Sequence, residues 1–241
     1  MKFCITDVDC GLGLAERQKV AAALQRQLRE HFAPAWDGLC SDATVRAATP
    51  DALVADDEID CRLQKTPTQD GALGFHDRSP AGLPIIYIFA ALCKAYGEEW
   101  SKCLSHELVE CAADPYLQKC VQMENGDIQD FEVADRVEAD SYQIDGVTVS
   151  NFNTKNCFEP PKNTVGLAFD FLRLSTRPNE VRPGGYSQTF VSGKGWKQNS
   201  PSSAYRTALS KAGVSRGARR AAKSPARGFF SRLFGIIRRA F

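Results

Sequence analysis

The chain has 241 residues, 43% of them hydrophobic and 24% charged, an ordinary composition for a soluble globular protein that can bury one substantial core in one or two domains. A membrane span is excluded: the longest apolar candidate, residues 83–93, contains Pro84 and falls well short of the roughly 18 uninterrupted residues needed. The net charge of +1 conceals an asymmetry, because residues 201–241 carry ten Lys and Arg and no acid, leaving a net −9 on residues 1–200.

Residues 2–8 suit a strand. They run straight into Asp7 and Asp9 with no apolar signal region, so a cytoplasmic protein is expected, within a virion or host cytoplasm if phage-encoded. Residues 14–32 read as an amphipathic helix with Val20, Leu24, Leu28 and Phe32 on one face, ended by Pro34. His31, near its end, is placed where a partial positive charge is favourable and receives no function. Strands are expected at 43–48, 59–63, 73–77 and, most clearly, 85–90, with a turn at 78–82. A helix over 100–113 stops at Asp114-Pro115. Residues 124–130 lack a calcium-loop pattern and read as a solvated loop. Residues 132–138 are short and acidic, 142–152 form a hairpin turning at Asp145-Gly146, and 164–174 suit either strand or helix. Beyond 176, Pro, Gly and Ser dominate, so the packed domain is set at 1–198 and a flexible basic tail at 199–241. The nine cysteines include no Cys-x-x-Cys pair, which argues against a zinc finger and for reduced thiols.

The chemistry concentrates at Ser105-His106-Glu107-Leu108-Val109-Glu110. On a helix, His106 and Glu110 lie one turn apart on one face, a spacing that lets two side chains converge on one cation. In the better-known His-Glu-x-x-His form two histidines bind zinc and the Glu serves as general base. Here the second ligand is a carboxylate, which zinc also accepts. A third ligand is sought among Glu132, Asp135 and Glu138, while a second acid can accept the His106 N–H. Asp114 reads as a helix-end residue.

Ser105-His106-Glu107-Leu108-x-Glu110-x-x-x-Asp114-Pro115, then Glu132-x-x-Asp135-x-x-Glu138, then Tyr142-x-Ile144-x-Gly146-x-x-Val149-Ser150-Asn151-Phe152 together resemble a zincin-like family of bacteria and phages, distantly similar to the plant EXORDIUM/phosphate-induced group. The resemblance spans roughly residues 60–200. It implies an α+β fold with a zincin-like twisted mixed sheet packed on helices, including the metal-site helix. It also implies one Zn2+ held by His106, Glu110 and an acid, Asp135 ahead of Glu132, with Glu107 as base. The chain departs from the family at Ala113, where relatives often carry a hydroxyl, and at Arg136-Val137, where Cys or Pro is common. Arg136 would be placed to pair with a carboxylate needed for metal.

His76 has two readings: stabiliser of a transition-state oxyanion at a strand edge, or turn histidine bonded to Asp77. In the tail, Phe230, Leu233, Phe234 and Ile237 make a helical stripe beside Arg232, Arg238 and Arg239, suited to a protein groove or an anionic membrane surface ahead of nucleic acid. Two functions follow: a zinc-dependent hydrolase, foremost a peptidase, or a catalytically idle scaffold, virion-associated if phage-encoded, docking through Arg232, Phe234, Arg238 and Arg239.

Overall fold

The computed structural model describes residues 1–49, 51–69, 72–123 and 125–201; the tail residues Arg232, Phe234, Arg238 and Arg239 lie outside them. Strand β1 (Lys2–Asp7) buries Phe3, Cys4 and Ile5 in succession, because it is central and covered on both faces. The helix α1 (Leu14–Arg26) follows, continues through a π-helical turn over Gln27–Phe32, and ends in the short α2 (Ala33–Ala35). The expected face is the buried one: Val20, Leu24, Leu28 and Phe32 are all in the core. Pro34 does not end the helical path. The Ala33 N–H bonds the Leu28 carbonyl five residues back, so Pro34 enters the first turn of a new segment, where a missing N–H costs nothing.

Four further strands complete a sheet: β2 (Thr44–Ala47), β3 (Ile59–Gln64), β4 (Gly74–Arg78) and β5 (Pro84–Phe89). Its order is β2-β1-β3-β5-β4, with β2, β1, β3 and β5 parallel and β4 antiparallel at the edge. The short helix α3 (Ala90–Ala95) leads to α4 (Trp100–Ala113), which occupies the expected residues. Asp114 caps its end by accepting the Lys119 N–H (2.7 Å), the helix-end role read from the sequence.

A small antiparallel sheet of order β11-β10-β7-β6 uses β6 (Cys120–Gln122), β7 (Ile128–Asp130), β10 (Ser187–Val191) and β11 (Gly195–Asn199). Part of the expected solvated loop is thus strand β7, and Asp130 is buried. Strands also form beyond residue 176, where Pro, Gly and Ser pointed to loop. Between these lie the hairpin β8 (Ser141–Ile144) and β9 (Val147–Ser150) and the single-turn α5 (Lys155–Phe158). Asp145 and Gly146 have φ of 50° and 71°, the left-handed pair that a tight two-residue hairpin requires. Residues 164–174 form neither strand nor helix, beyond a bridge between Asp170 and Asn153.

Strand β9 packs against both α1 and α4, and α4 also lies on β4 and β5, so one continuous core joins sheet, helices and hairpin. The α+β class expected from the sequence is what the chain adopts. Within the core the Phe32 ring is stacked 5.7 Å from Trp36 and tilted 5.4 Å from Phe152. Phe32→Ala is expected to cost about 3–5 kcal/mol, measurable as a lowered urea midpoint at unchanged slope.

All nine cysteines are free thiols, and burial raises the pKa of Cys4 and Cys61, which suits inert core residues. His31 is half-buried, stacked on Phe171 and bonded to the Tyr142 hydroxyl, and burial lowers its pKa, which works against the positive charge favoured at a helix end. Among the described residues no helix is long and apolar enough to cross a membrane.

Candidate metal centre

Three pieces of chain converge at the inner face of α4. The helix contributes His106, Glu107 and Glu110, all buried. Strand β4 contributes His76: along it Gly74 and His76 are buried while Asp77 is exposed, so pleating alone turns His76 inward. The third piece is the segment after β7, which carries Glu132 and then Asp135 at the start of a single 3-10 turn (Asp135–Val137). Glu132 precedes that turn, so the two acids reach the site from irregular chain and not from one helical face.

Two glycines make this approach possible. A Cβ on Gly74 would meet Ile88 Cδ1 at 2.6 Å, the Tyr87 carbonyl oxygen at 2.9 Å and Glu107 Cγ at 3.4 Å. A Cβ on Gly185 would overlap the Arg136 carbonyl and lie 2.9 Å from the Asp135 carbonyl oxygen. Around Gly185, the Arg182 N–H donates to the Arg136 carbonyl and the Tyr186 N–H to the Asp135 carbonyl, both at 2.9 Å. The segment 182–186 therefore braces the acidic turn from behind. Helix α4 is fixed from its other side, where the Ser105 hydroxyl donates to Gln27 Oε1 (2.7 Å) and accepts the Ser150 N–H (2.9 Å).

The polar atoms are close. His106 Nε2 lies 3.2 Å from Glu110 Oε1 and 3.2 Å from Asp135 Oδ1. His76 Nδ1 lies 3.3 Å from Glu107 Oε2 and 3.8 Å from Glu110 Oε2. The Ala134 N–H donates to Glu110 Oε1 (3.3 Å), which holds that carboxylate in place. Two sets of three donors each fall within 4.8 Å of one another: His106, Glu107 and Glu110, and His76, Glu110 and Glu132. Asp135 belongs to neither set but flanks His106. Glu138 is buried on the same turn and is in neither set.

Arg136, the departure that threatened to claim a carboxylate, pairs with Asp130. Its guanidinium donates to Asp130 Oδ1 (3.3 Å) and to the Asp130 and Glu132 carbonyls, and lies over the Phe158 ring. Asp130 Oδ2 in turn accepts the Gln188 N–H (3.0 Å), tying β7 to β10. The turn-histidine reading of His76 is overturned, because His76 sits in β4 against Glu107 and Glu110 while Asp77 Oδ1 accepts the Arg78 N–H.

No family model, curated protein or solved structure matches this chain. What the residues can do is therefore read from their geometry. Glu110 is buried, which raises its pKa; His106 pulls it down, the charges of Asp135 and Glu132 push it up, and the balance is about 8. For His76, burial lowers the pKa, but the Glu107 hydrogen bond and the charges of Glu132, Glu107 and Glu110 prevail and carry it to about 9. Both shifts express one condition: carboxylates crowded out of water recruit positive charge. A divalent ion would supply it. Donors bound to one ion at about 2.0–2.2 Å stand roughly 3.0–3.5 Å apart, the spacing of His106 Nε2 from its two carboxylate neighbours. His76 Nε2 is also buried without a hydrogen-bond partner, an imidazole nitrogen that a proton alone leaves idle. The donor set fits a metal.

Of the seven residues singled out from the sequence, His76, His106, Glu107, Glu110, Glu132 and Asp135 are thus brought together, and Glu138 joins neither donor set. Gly74, Gly185 and Gln27 escaped notice. The alternation of β4 could have flagged Gly74 beside His76; no local signal marks the other two.

Proposed function

We propose that the chain is a metal-dependent hydrolase acting on a peptide or protein substrate in the reducing cytoplasm. His106 and Glu110 serve as metal ligands, Glu132 or Asp135 as the third, and Glu107 as proton acceptor. The observation that carries this reading is the placement of Glu107 within 4.8 Å of the donor atoms of both His106 and Glu110, as a base beside a metal must be. A bound divalent ion supplies Lewis acidity toward a carbonyl and a water molecule. Glu107 takes the proton of the attacking water and passes it to the leaving amine. His76 Nδ1, 3.3 Å from Glu107 Oε2, orients that carboxylate, a positioning role in place of the oxyanion role. Asp135 Oδ1 and Glu110 Oε1 face the same His106 nitrogen, Nε2, so Asp135 would join the ion there and not serve as an acceptor that orients the ring. A mixed sheet backed by a helix carrying the metal residues is what the zincin-like resemblance implies, and it supports that family reading. Zinc is the first ion to try.

Cleavage of a peptide library is expected to be lost with chelator and to fall about 10²–10⁴-fold in Glu107→Gln while metal content is unchanged. Full-rate cleavage by that variant would sink the assignment of the base. One observation favours a second reading, the idle scaffold. His76 and Glu132, the most exposed of the six, are each only 6% accessible, and closed sites are the rule for structural metals. On that reading the library stays intact while chelation lowers the melting temperature.

A further inference from the structure

The two oxygens of Glu110 face different imidazoles. Oε1 is 3.2 Å from His106 Nε2 and Oε2 is 3.8 Å from His76 Nδ1. A carboxylate whose oxygens point to separate nitrogen donors has the disposition of a bridge between two ions. The remaining acids divide the same way. Asp135 Oδ1 stands 3.2 Å from His106 Nε2, and Glu132 joins His76 and Glu110 within 4.8 Å. Each half therefore offers one imidazole and one oxygen of Glu110; Glu132 completes the donor set of His76, and Glu107 that of His106, where Asp135 flanks the same nitrogen.

We infer that this site holds two divalent cations bridged by Glu110, one on His106 and Asp135, the other on His76 and Glu132. The inference rests on the metal-site reading above and extends it from one ion to two. Charge favours the pair. Four buried carboxylates, Glu107, Glu110, Glu132 and Asp135, are balanced by two divalent ions with neutral imidazoles, whereas one ion leaves two negative charges in a site shielded from water. Proximity favours it too, because ions that share a carboxylate sit about 3.5–4 Å apart, the spacing of two-metal hydrolytic sites. With carboxylates outnumbering imidazoles, manganese suits the donors at least as well as zinc.

The test is metal counting on the full chain stripped with chelator, then reloaded with zinc alone or with manganese alone. Native mass spectrometry and elemental analysis are expected to give two ions per chain. Manganese-loaded protein is expected to show the multiline resonance of an exchange-coupled pair in place of the six-line signal of an isolated ion. Glu132→Gln and His76→Ala are each expected to lower the count from two to one and restore the six-line signal. The wild-type resonance needs no variant, so it decides the matter even if both substitutions fail to fold. One ion per chain with an uncoupled signal overturns the pair and leaves the single-metal hydrolase intact. No bound ion overturns both.

Discussion

Glu110→Gln is expected to reduce metal affinity at least about 100-fold, more than the loss of an outer-shell partner, because the residue supplies an oxygen to each imidazole half of the site. The same substitution should affect the metal-free protein in the opposite direction. The folded-state pKa of Glu110 is raised to about 8 from an ordinary 4.5, so its contribution is fully present below the ordinary value and is lost as pH rises through the folded one. His76, raised to about 9 from 6.5, loses its contribution over the upper part of that window. Metal-free wild type should therefore weaken steadily with rising pH, and Glu110→Gln should flatten that decline. Metal competes with protons for these groups, so the thermal shift on adding zinc should be larger at about pH 8.5 than at about pH 5.5. Differential scanning fluorimetry of both proteins, with and without zinc across that range, checks every sign. A metal-free wild type that gains stability with rising pH would show that the acids are not crowded as described.

The second large effect belongs to a residue that touches no metal. Gly185→Ala would place a methyl group against the Arg136 carbonyl, and both sides of that contact are backbone. Nothing flexible can yield, so the acidic turn or the 182–186 segment must move. Overpacking of this kind costs about 1–3 kcal/mol and more when the backbone resists. Urea denaturation of the variant should show that loss, together with weaker zinc binding, because Asp135 is carried on the displaced turn. Gly74→Ala should be milder, since it meets a single backbone atom, the Tyr87 carbonyl oxygen at 2.9 Å, besides the buried Ile88 side chain. Equal zinc affinity in Gly185→Ala and wild type would mean that the brace does not set the position of Asp135.

How far the sequence revealed this arrangement depends on where each signal lay. Helix α4 was legible because its evidence is local: His106 and Glu110 one turn apart, and Pro115 closing the end. The β8–β9 hairpin was legible for the same reason, since Asp145-Gly146 carries its own turn chemistry. The acidic cluster was recognisable by composition, but its mode of entry was not: Glu132 and Asp135 reach α4 through irregular chain held by Tyr186 and Arg182, residues about fifty positions away. His76 stayed between two readings for a related reason. Asp77 next to it looked like the natural partner, yet strand pleating sends the two side chains to opposite faces, and only the pairing of β4 with β5 shows which face meets α4. Strands β6 and β7, three residues each, are too short for alternation to register. In β10 and β11 the neighbouring glycines and serines masked it. Pro34 misled because the five-residue hydrogen bond ahead of it has no sequence signature.

That wide turn over Gln27–Phe32 has a mechanical consequence. Gln27 opens it, and its amide grips Ser105, the residue before His106, so the pitch of the first helix is geared to the angle at which the imidazole is presented. Tightening that spiral to ordinary α geometry with every residue kept would swing everything downstream by about 100°. The Trp36 indole would leave its perch on the Asn153 carbonyl, and the drive train from helix to histidine would slip by one tooth.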